Sequence, residues 1–372
     1  MTSKERVLNA LNHKPVDRVP MDLFGMASSL VDEEYFKLLD YLGLDRSVDP
    51  IRKGTNCNYY DERILDMLDI DIRRVWVGST NLFPKNRPDG SYVNEWGMVQ
   101  KKGRFGIEFV RFPLEGASAE EIRNYNWPKA AEIYDIRGMR ERAKRLSEEN
   151  RYAVSLRAPM NGIFEIACWL RGTENFMVDI YEDPDAIHEL CEQILKVQMD
   201  CYGMILDEVG EYVDIVETGD DYGSQMGLLI SPDCLKEFIL TRRKRLNDMI
   251  KQKAPHAKVF LHCCGSISKI IPDLIETGVD VLNPVQTAAA GMDPVDLKEN
   301  FGSRIVFHGG VDTQKAMKGG KAEVRTEVAN MLESMNRDGG YILASCNHIQ
   351  SDIPVENVLE LYAAAKELSL QA

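Results

Sequence analysis

The sequence contains no run of about 18 apolar residues, which is the length that a membrane-spanning helix requires. It has no apolar leader either, since residues 1–7 are polar and carry charges of both signs. A basic stripe is missing as well, and the formal net charge of −14 at pH 7 would repel a nucleic-acid backbone. These absences predict a cytoplasmic protein that binds neither membranes nor nucleic acid.

The eight cysteines do not have the spacing of a disulfide framework. Most of them lie within helix or strand patterns, and no export signal precedes them, so we expect reduced thiols. The sequence also lacks a Gly-rich dinucleotide or phosphate loop after its first strand, as well as repeats, low-complexity segments and long linkers. The usual indicators of a nucleotide-binding doubly wound sheet are therefore missing.

What is present is a regular alternation of helices and short apolar strands. Strands are predicted at 153–157, 213–217, 258–262, 279–283, 305–308 and 341–346, and the segments between them have helical patterns. Apolar strands of this kind are typical of a parallel sheet that is covered on both faces. Two further strands near 18–25 and 74–78 bring the count to eight, which predicts a (β/α)8 TIM barrel. An open doubly wound sheet is the alternative.

The first part of the chain is less regular. Helices are predicted at 3–14, 33–43 and 60–69. A β-hairpin excursion is predicted over about 74–113, where short β-like pieces alternate with turn signals. We expect residues 1–372 to form a single domain that carries this excursion.

Polar residues follow the predicted strands at the point where each strand ends. In an α/β barrel those ends converge on one face, where catalytic groups lie. The residues in question are Glu217, Asp220, Tyr222, His262, Cys264, Asn283, Gln286, His308, Asp312, Cys346, His348 and Gln350.

The sharpest pattern is His262-x-Cys264, with Cys346 at the end of a later strand. Residues i and i+2 of an extended segment point the same way, so His262 and Cys264 can bind one ion. Two thiolates and one imidazole suit zinc, and three protein ligands leave its fourth position open for catalysis. Inert buried cysteines are the alternative interpretation. His308 and His348 are alternative ligands, and Glu217 is a candidate for the fourth position.

Other candidate residues follow the strand at 153–157. Arg157 is an unusual charge inside a barrel, and it suggests either an anionic ligand or a structural ion pair. Met160 and Asn161 are candidates for the pocket lining, although an ordinary strand-to-helix turn explains them equally well. Asp220 and Asp221 are consistent with a cap on the segment that follows them as much as with a catalytic role.

The sequence resembles the uroporphyrinogen decarboxylase-like superfamily over about residues 3–369. The segments that carry the resemblance are Arg18-Val19-Pro20, Trp127-Pro128, Gly219-Asp220-Asp221-Tyr222-Gly223, Ser231-Pro232, Asn283-Pro284-Val285-Gln286, His308-Gly309-Gly310-Val311-Asp312-Thr313-Gln314 and Pro354-Val355-Glu356-Asn357. The resemblance implies a barrel that carries its active site at the carboxyl ends of the strands.

Two branches of that superfamily differ in chemistry. The decarboxylases are metal-free and carry an arginine-containing segment soon after the first strand, whereas residues 21–28 here contain no arginine. The corrinoid-linked methyltransferases bind zinc through a His-x-Cys…Cys pattern, which His262, Cys264 and Cys346 match. The resemblance therefore implies a zinc-dependent enzyme that moves a methyl group between a corrinoid and a small thiol or a methylated substrate. The context of Cys346 differs from the Gly-rich one of the coenzyme M enzymes, so the methyl donor or acceptor can differ too.

From these patterns we predict the role of each candidate residue. Catalytic roles are expected for Glu217, Asp220, His308 and His348, and substrate contacts for Arg157, Met160, Asn161, Tyr222, Asn283, Gln286, Asp312 and Gln350. The chain has no Asp-x-His-x-x-Gly corrinoid-binding signature, so a separate corrinoid protein is the expected partner of a monomer or homodimer. A metal-free lyase that uses Arg157, Asp220 and Tyr222 is the rival, and a non-catalytic ligand-binding barrel is a third interpretation.

Overall fold

The computed structural model describes residues 1–52, 55–103 and 107–370. The α-helices are α1 (Ser3–Leu11), α2 (Asp32–Leu42), α3 (Glu62–Met67), α4 (Ala119–Arg123), α5 (Ala130–Ile133), α6 (Met139–Glu149), α7 (Ile163–Arg171), α8 (Thr173–Glu182), α9 (Pro184–Val209), α10 (Pro232–Cys234), α11 (Thr241–Lys253), α12 (Ile271–Glu276), α13 (Pro294–Phe301), α14 (Lys321–Met335) and α15 (Val355–Ser369). The strands are β1 (Ile72–Val75), β2 (Gly78–Ser79), β3 (Lys85–Asn86), β4 (Tyr92–Val93), β5 (Val99–Lys102), β6 (Ile107–Arg111), β7 (Tyr134–Asp135), β8 (Ala153–Leu156), β9 (Ile215–Gly219), β10 (Lys258–His262), β11 (Val281–Asn283), β12 (Val306–His308) and β13 (Tyr341–Ile342). Within the described part of the chain, no helix is both long and apolar enough to cross a bilayer.

The main sheet consists of parallel strands in the order β1-β8-β9-β10-β11-β12-β13. The segment around Met21 takes the eighth place between its two edges. Met21 forms a parallel bridge with Leu343 on one side, and its carbonyl accepts the N–H of Asp71 at 3.0 Å on the other. The sheet thereby curls into the predicted (β/α)8 barrel, with helices alongside it.

The amino-terminal end of the barrel is filled with apolar side chains. Val7 and Leu11 of α1 pack against inward-facing residues of the strands, among them Ile72, Phe260 and Ile342. A capping box between Thr2 and Glu5 fixes the start of α1. Since apolar side chains fill this end of the barrel, the polar groups of the interior lie toward the carboxyl ends of the strands.

The inward-facing positions above this layer are polar and charged. Ser155 and Glu217 point inward and hydrogen-bond to each other at 2.9 Å. Because side chains alternate along a strand, the residues two positions further on, Arg157 and Gly219, face the same side at the barrel mouth. His262, the last residue of β10, is aligned with Gly219 in the strand register. Alternation therefore brings Arg157 and His262 to one end of the barrel.

Several boundaries differ from the predicted ones for local reasons. The stretch 162–208 forms three helices, since the chain breaks at Gly172, whose φ is 87°, and again at Asp183, which precedes Pro184. The predicted helix 232–253 contains a π-helical segment over Leu235–Leu240. The predicted strand 341–346 is regular only over Tyr341–Ile342, after which Ser345 forms an isolated bridge with Val311.

The predicted excursion at 74–113 begins later than expected. Residues 72–75 form the barrel strand β1, and the excursion itself is the antiparallel sheet β3-β4-β5-β6. Residues 104–106, which belong to the predicted excursion, lie outside the described residues. The assignment of residues 1–372 to a single domain stays a prediction.

Candidate metal centre

Three side chains with metal-binding atoms meet at the carboxyl ends of β9 and β10. The ligand atoms of Asp221, His262 and Cys264 all lie within 4.8 Å of one another. Nε2 of His262 is 3.3 Å from Sγ of Cys264 and 3.6 Å from Oδ1 of Asp221. The alternation of side chains after β10 places His262 and Cys264 together as expected, and the loop after β9 supplies the carboxylate.

A close contact between two backbone turns holds this group in place. Gly265 has φ 92°, and a Cβ atom there would lie 2.5 Å from the carbonyl carbon of Gly223, so only glycine fits. The N–H of Cys264 donates to Oδ1 of Asp221 at 2.7 Å, and the N–H of Gly265 donates to Oε1 of Gln286 at 2.8 Å. Gln286, predicted to bind substrate, thus supports the turn that carries Cys264.

A chain of hydrogen bonds orients the imidazole of His262. Nδ1 of His262 lies 2.6 Å from Oδ1 of Asn283, whose Nδ2 lies 2.8 Å from Nδ1 of His308. Nε2 of His308 is 2.9 Å from Oδ2 of Asp22. An amide nitrogen only donates, so His308 accepts at Nδ1 and donates from Nε2 to Asp22. His262 therefore donates from Nδ1, which leaves the lone pair of Nε2 facing Cys264 and Asp221.

Arg74 anchors the far end of this chain. Its guanidinium contacts the two oxygens of Asp22 at 2.8 and 2.6 Å, and its Nε donates to Oε1 of Glu217 at 2.8 Å. Burial acts to raise the pKa of Asp22, but Arg74 and His308 outweigh burial and hold that pKa well below its usual range. Asp22 is therefore a carboxylate, and it accepts from His308.

The metal-binding side chains lie in an environment that favours a cation. Burial is the main cause that raises the pKa of the Cys264 thiol, and the carboxylate of Asp221 adds to the effect. Burial, together with Asp221 and Asp220, also raises the pKa of the nearby Glu165 to about 8. Carboxylates, a thiol and an imidazole with a free lone pair form a suitable donor set for zinc.

Cys346 lies at the same end of the barrel but outside the compact group. Among the described residues, that group consists of Asp221, His262 and Cys264 only. The thiol of Cys346 is 3.5 Å from Oγ1 of Thr313, and Cys264 is near enough to be one of the causes that raise the pKa of Cys346. Cys346 as a zinc ligand stays a prediction, whereas Asp221 is a ligand candidate that the sequence pattern did not identify.

Two predicted catalytic or substrate-binding residues make structural contacts. Asp220 is fully buried and accepts the N–H groups of Phe164 and Glu165 at 3.1 and 3.0 Å, at the start of α7. The hydroxyl of Tyr222 donates to Asp220 at 3.0 Å and accepts from Nε of Arg243 at 2.6 Å. Asp220 therefore holds the start of α7, which precedes it in the chain, and does not cap the segment that follows it. Its role in catalysis stays a prediction.

Other predicted residues surround the metal-binding group without joining it. Glu217 and His308 belong to the hydrogen-bonded interior of the barrel. Asn161 donates to Glu165, Asp312 accepts the N–H groups of residues 314 and 315, and Gln350 donates to the carbonyl of His348. Met160 is largely buried, and Nδ1 of His348 accepts the N–H of Ser29 at 3.2 Å.

Sequence patterns did not identify Asp22, Arg74 and Glu165 as members of this network. Asp22 and Arg74 lie within apolar strand-like stretches, where a buried charge needs a partner. That rule, applied to every strand and not only to Arg157, would have pointed to the pair. Glu165 stands within a helix pattern, and no local signal sets it apart.

The fold and the site define a class of protein: an α/β barrel with a candidate metal centre at its catalytic face. A model of the uroporphyrinogen decarboxylase (URO-D) family matches residues 108–368, which is more than half of the chain. The chain therefore belongs to the URO-D family, and the predicted resemblance is confirmed.

Relatives of both branches are similar to this chain. A uroporphyrinogen decarboxylase of Legionella pneumophila (strain Lens) is 23% identical over 98% of this chain and 97% of its own length. A methylated-thiol–coenzyme M methyltransferase of Methanosarcina mazei is 24% identical over 55% of this chain and 51% of its own. A solved methyltransferase from Methanosarcina mazei has a TM-score of 0.67 at 20% identity and covers 99% of both chains, which establishes the shared fold.

Proposed function

We propose that the chain is a zinc-dependent methyltransferase that moves a methyl group between a corrinoid protein and a small thiol or methylated substrate. The observation that carries the proposal is the joint position of His262, Cys264 and Asp221, with the free lone pair of Nε2 directed at the other two. The methyltransferase relatives support it. The metal and the corrinoid partner are parts of the proposal.

His262 and Cys264 would hold the zinc, with Asp221 and Cys346 as the candidates for its remaining protein ligands. Bound zinc stabilises a thiolate at neutral pH, or polarises the leaving group of a methylated substrate. Asn283 keeps the proton of His262 on Nδ1, so the imidazole binds through Nε2. Asp221 accepts the N–H of Cys264 and thereby orients the turn that presents this thiol.

The first experiment is elemental analysis of wild-type protein and of the variants Cys264→Ala and Cys346→Ala. About one zinc per chain is expected in wild type and a loss in Cys264→Ala, because a tetrahedral site rarely tolerates the removal of a protein ligand. Cys263→Ala is the matched control, since Cys263 is a buried neighbour whose thiol accepts the N–H of Tyr222 instead. Absence of zinc from wild type would reject the proposed mechanism.

Asp221→Asn and Cys346→Ala together identify the third ligand. Loss of zinc in Cys346→Ala alone would assign that role to the second thiol, and loss in Asp221→Asn alone would assign it to the carboxylate. Zinc-loaded protein is then assayed for methyl transfer to or from a corrinoid protein. No transfer with any methylated substrate or thiol would contradict the proposed reaction.

A metal-free lyase that acts on a carboxylated substrate is the second candidate. It is favoured by the decarboxylase relative that matches over nearly its whole length. The hydrogen bonds of Asp220 and Tyr222 weaken this candidate, because they engage both side chains with the start of α7 and with Arg243. Chelation separates the two candidates: the lyase keeps its activity without metal, and the methyltransferase loses it.

A further inference from the structure

Arg157 is a buried cation without a counter-ion among the described residues. Its side chain is 5% exposed, and Nη1 donates to the carbonyl of Phe24 at 2.8 Å. Its Nη2 is buried and has no hydrogen-bond partner among the described residues, and no carboxylate of that part of the chain lies within salt-bridge distance of its guanidinium. A guanidinium offers five donors and stays charged at neutral pH. One bond to a carbonyl leaves most of that capacity unused.

Arg74 shows what a structural arginine looks like in the same barrel. It is equally buried, yet it has two carboxylates, Asp22 and Glu217, at 2.6 and 2.8 Å. Buried charges are normally paired, because moving an unpaired charge out of water costs free energy that no contact offsets. The contrast between the two arginines indicates that the partner of Arg157 is not a protein side chain.

The carboxylate of Glu217 is close enough to Arg157 to oppose the effects of burial and Arg52 on its pKa, although it forms no salt bridge with it. Two other side chains near Arg157 are donors. Arg52 is half-buried and uses only Nε, which donates to the carbonyl of Cys57 at 2.8 Å. Nδ1 of His348 accepts the N–H of Ser29, so the proton of the neutral ring is on Nε2. Within the described residues, that Nε2–H and the terminal nitrogens of Arg52 make no hydrogen bond.

Backbone contacts bring Arg157 and His348 to the same segment of the chain, residues 24–29. Arg157 donates to the carbonyl of Phe24, and His348 accepts the N–H of Ser29. Burial and then the nearby charge of Arg52 lower the pKa of Arg157 to about 9, so Arg157 still carries its charge at neutral pH. Arg157 and His348 therefore meet at the end of the barrel that also carries His262.

We propose that Arg157, Arg52 and His348 form a binding site for the anionic group of the substrate, a carboxylate, sulfonate or phosphate. A site that contains donors and positive charge is complementary to an oxyanion, and a free guanidinium edge binds one bidentately. With the anionic group there, the rest of a small molecule extends toward His262 and Cys264. That the bound molecule is the methyl donor or acceptor rests on the proposed function, whereas the anion site itself does not.

The experiment compares charged and neutral ligands of similar shape. Isothermal titration calorimetry on the full-length protein as purified measures binding of methoxyacetate, 2-methoxyethanesulfonate and 2-methoxyethyl phosphate, with methoxyacetamide as the neutral counterpart. We expect at least one anion to bind more tightly than the amide by on the order of tenfold, as for a hydrogen bond to a charged group. The three anions identify which acidic group is preferred.

Arg157→Met should abolish that preference and leave binding of the amide unchanged, because it removes the charge and keeps the length of the side chain. Arg52→Met is the second variant, and it should reduce the preference even if Arg157→Met does not fold. Arg46→Met is the control, since Arg46 is an exposed surface arginine with the same formal charge.

Two results would overturn the proposal: equal affinity of wild type for the anions and the amide, or an undiminished preference in Arg157→Met and Arg52→Met. The readout requires neither zinc nor methyl transfer. Absence of zinc would therefore reject the proposed function and leave the anion site open to this test. Failure of the anion-binding test would reject the anion site and leave the proposed zinc-dependent methyl transfer open to its own test.

Discussion

Nδ1 of His262 and the side-chain oxygen of Asn283 lie 2.6 Å apart, and this contact determines which nitrogen of the imidazole faces the candidate metal centre. A histidine ligand usually gives its other N–H to such an acceptor, which orients the ring and fixes its tautomer. Here the acceptor is itself oriented by His308, and His308 by Asp22, so a neutral amide is connected to a buried ion pair.

Asn283→Leu should weaken zinc binding by about 10- to 100-fold, the usual cost of losing such a partner. Asn283→Asp should retain most of the affinity, because a carboxylate still accepts the Nδ1–H of His262. Competition with a chromophoric chelator measures both. Wild-type affinity in Asn283→Leu would show that the contact does not orient a ligand.

Arg74→Met and Arg157→Met should have opposite effects on folding. Arg74→Met leaves the carboxylates of Asp22 and Glu217 buried without their cationic partner, so we expect a loss of about 3–5 kcal/mol in the free energy of unfolding. Arg157→Met removes an unpaired buried charge and should leave stability unchanged or increased. Urea unfolding followed by circular dichroism measures both, and a large loss in Arg157→Met would reveal a structural partner.

Gly265→Ala should disrupt the metal centre. The added methyl group would lie 2.5 Å from the backbone of Gly223, and the φ of 92° is strained for alanine, so we expect a cost of about 1–3 kcal/mol and loss of bound zinc. Gly227→Ala is the matched control in the neighbouring loop, where a Cβ atom meets nothing within 4 Å. Equal zinc content and equal melting temperatures in the two variants would disprove the role assigned to the close contact.

Glu34 should make the protein less stable as pH rises. Its carboxyl group is buried with no hydrogen-bond partner among the described residues, and burial raises its pKa to about 7. The folded state therefore holds this proton more tightly than the unfolded state, and its stabilising effect is complete below about pH 4.5 and disappears as pH rises through about 7. Glu34→Gln should raise the free energy of unfolding at pH 8 by on the order of 1 kcal/mol.

At pH 4.5 the same substitution should have a much smaller effect, because the carboxyl group is then protonated in the folded state and about half protonated in the unfolded state. Glu33→Gln is the control, since Glu33 is an exposed neighbour on the same helix. Urea titrations at the two pH values give the comparison, and a Glu34→Gln effect that is independent of pH would show that Glu34 is ionised in the folded protein.

The strand-end positions were predictable because they depend on local periodicity. The alternation of apolar residues predicts β10, and the two-residue spacing of His262 and Cys264 places both side chains on one side of the chain. Cys346 was expected as the second thiol because it ends a later predicted strand, and the family resemblance supports the same choice. Asp221 was not predicted as a ligand, because two adjacent aspartates suggest a cap on the following segment. Only the fold shows that Asp220 instead holds the start of α7, earlier in the chain, while Asp221 lies beside His262 and Cys264.

The sequence by itself determined the succession of helices and strands, the end of the barrel where polar groups gather, and the pairing of His262 with Cys264, since each depends on residues near one another in the chain. Only the tertiary structure decided which distant groups meet them. Asp221 reaches the metal centre because the turn at Gly223 packs against the turn at Gly265. Asn283 reaches His262 because β11 lies beside β10. A buried arginine can be paired, as Arg74 is, or lack a counter-ion within the described part of the chain, as Arg157 does. Which of the two holds depends on contacts across the barrel, and local patterns carry no information about those contacts.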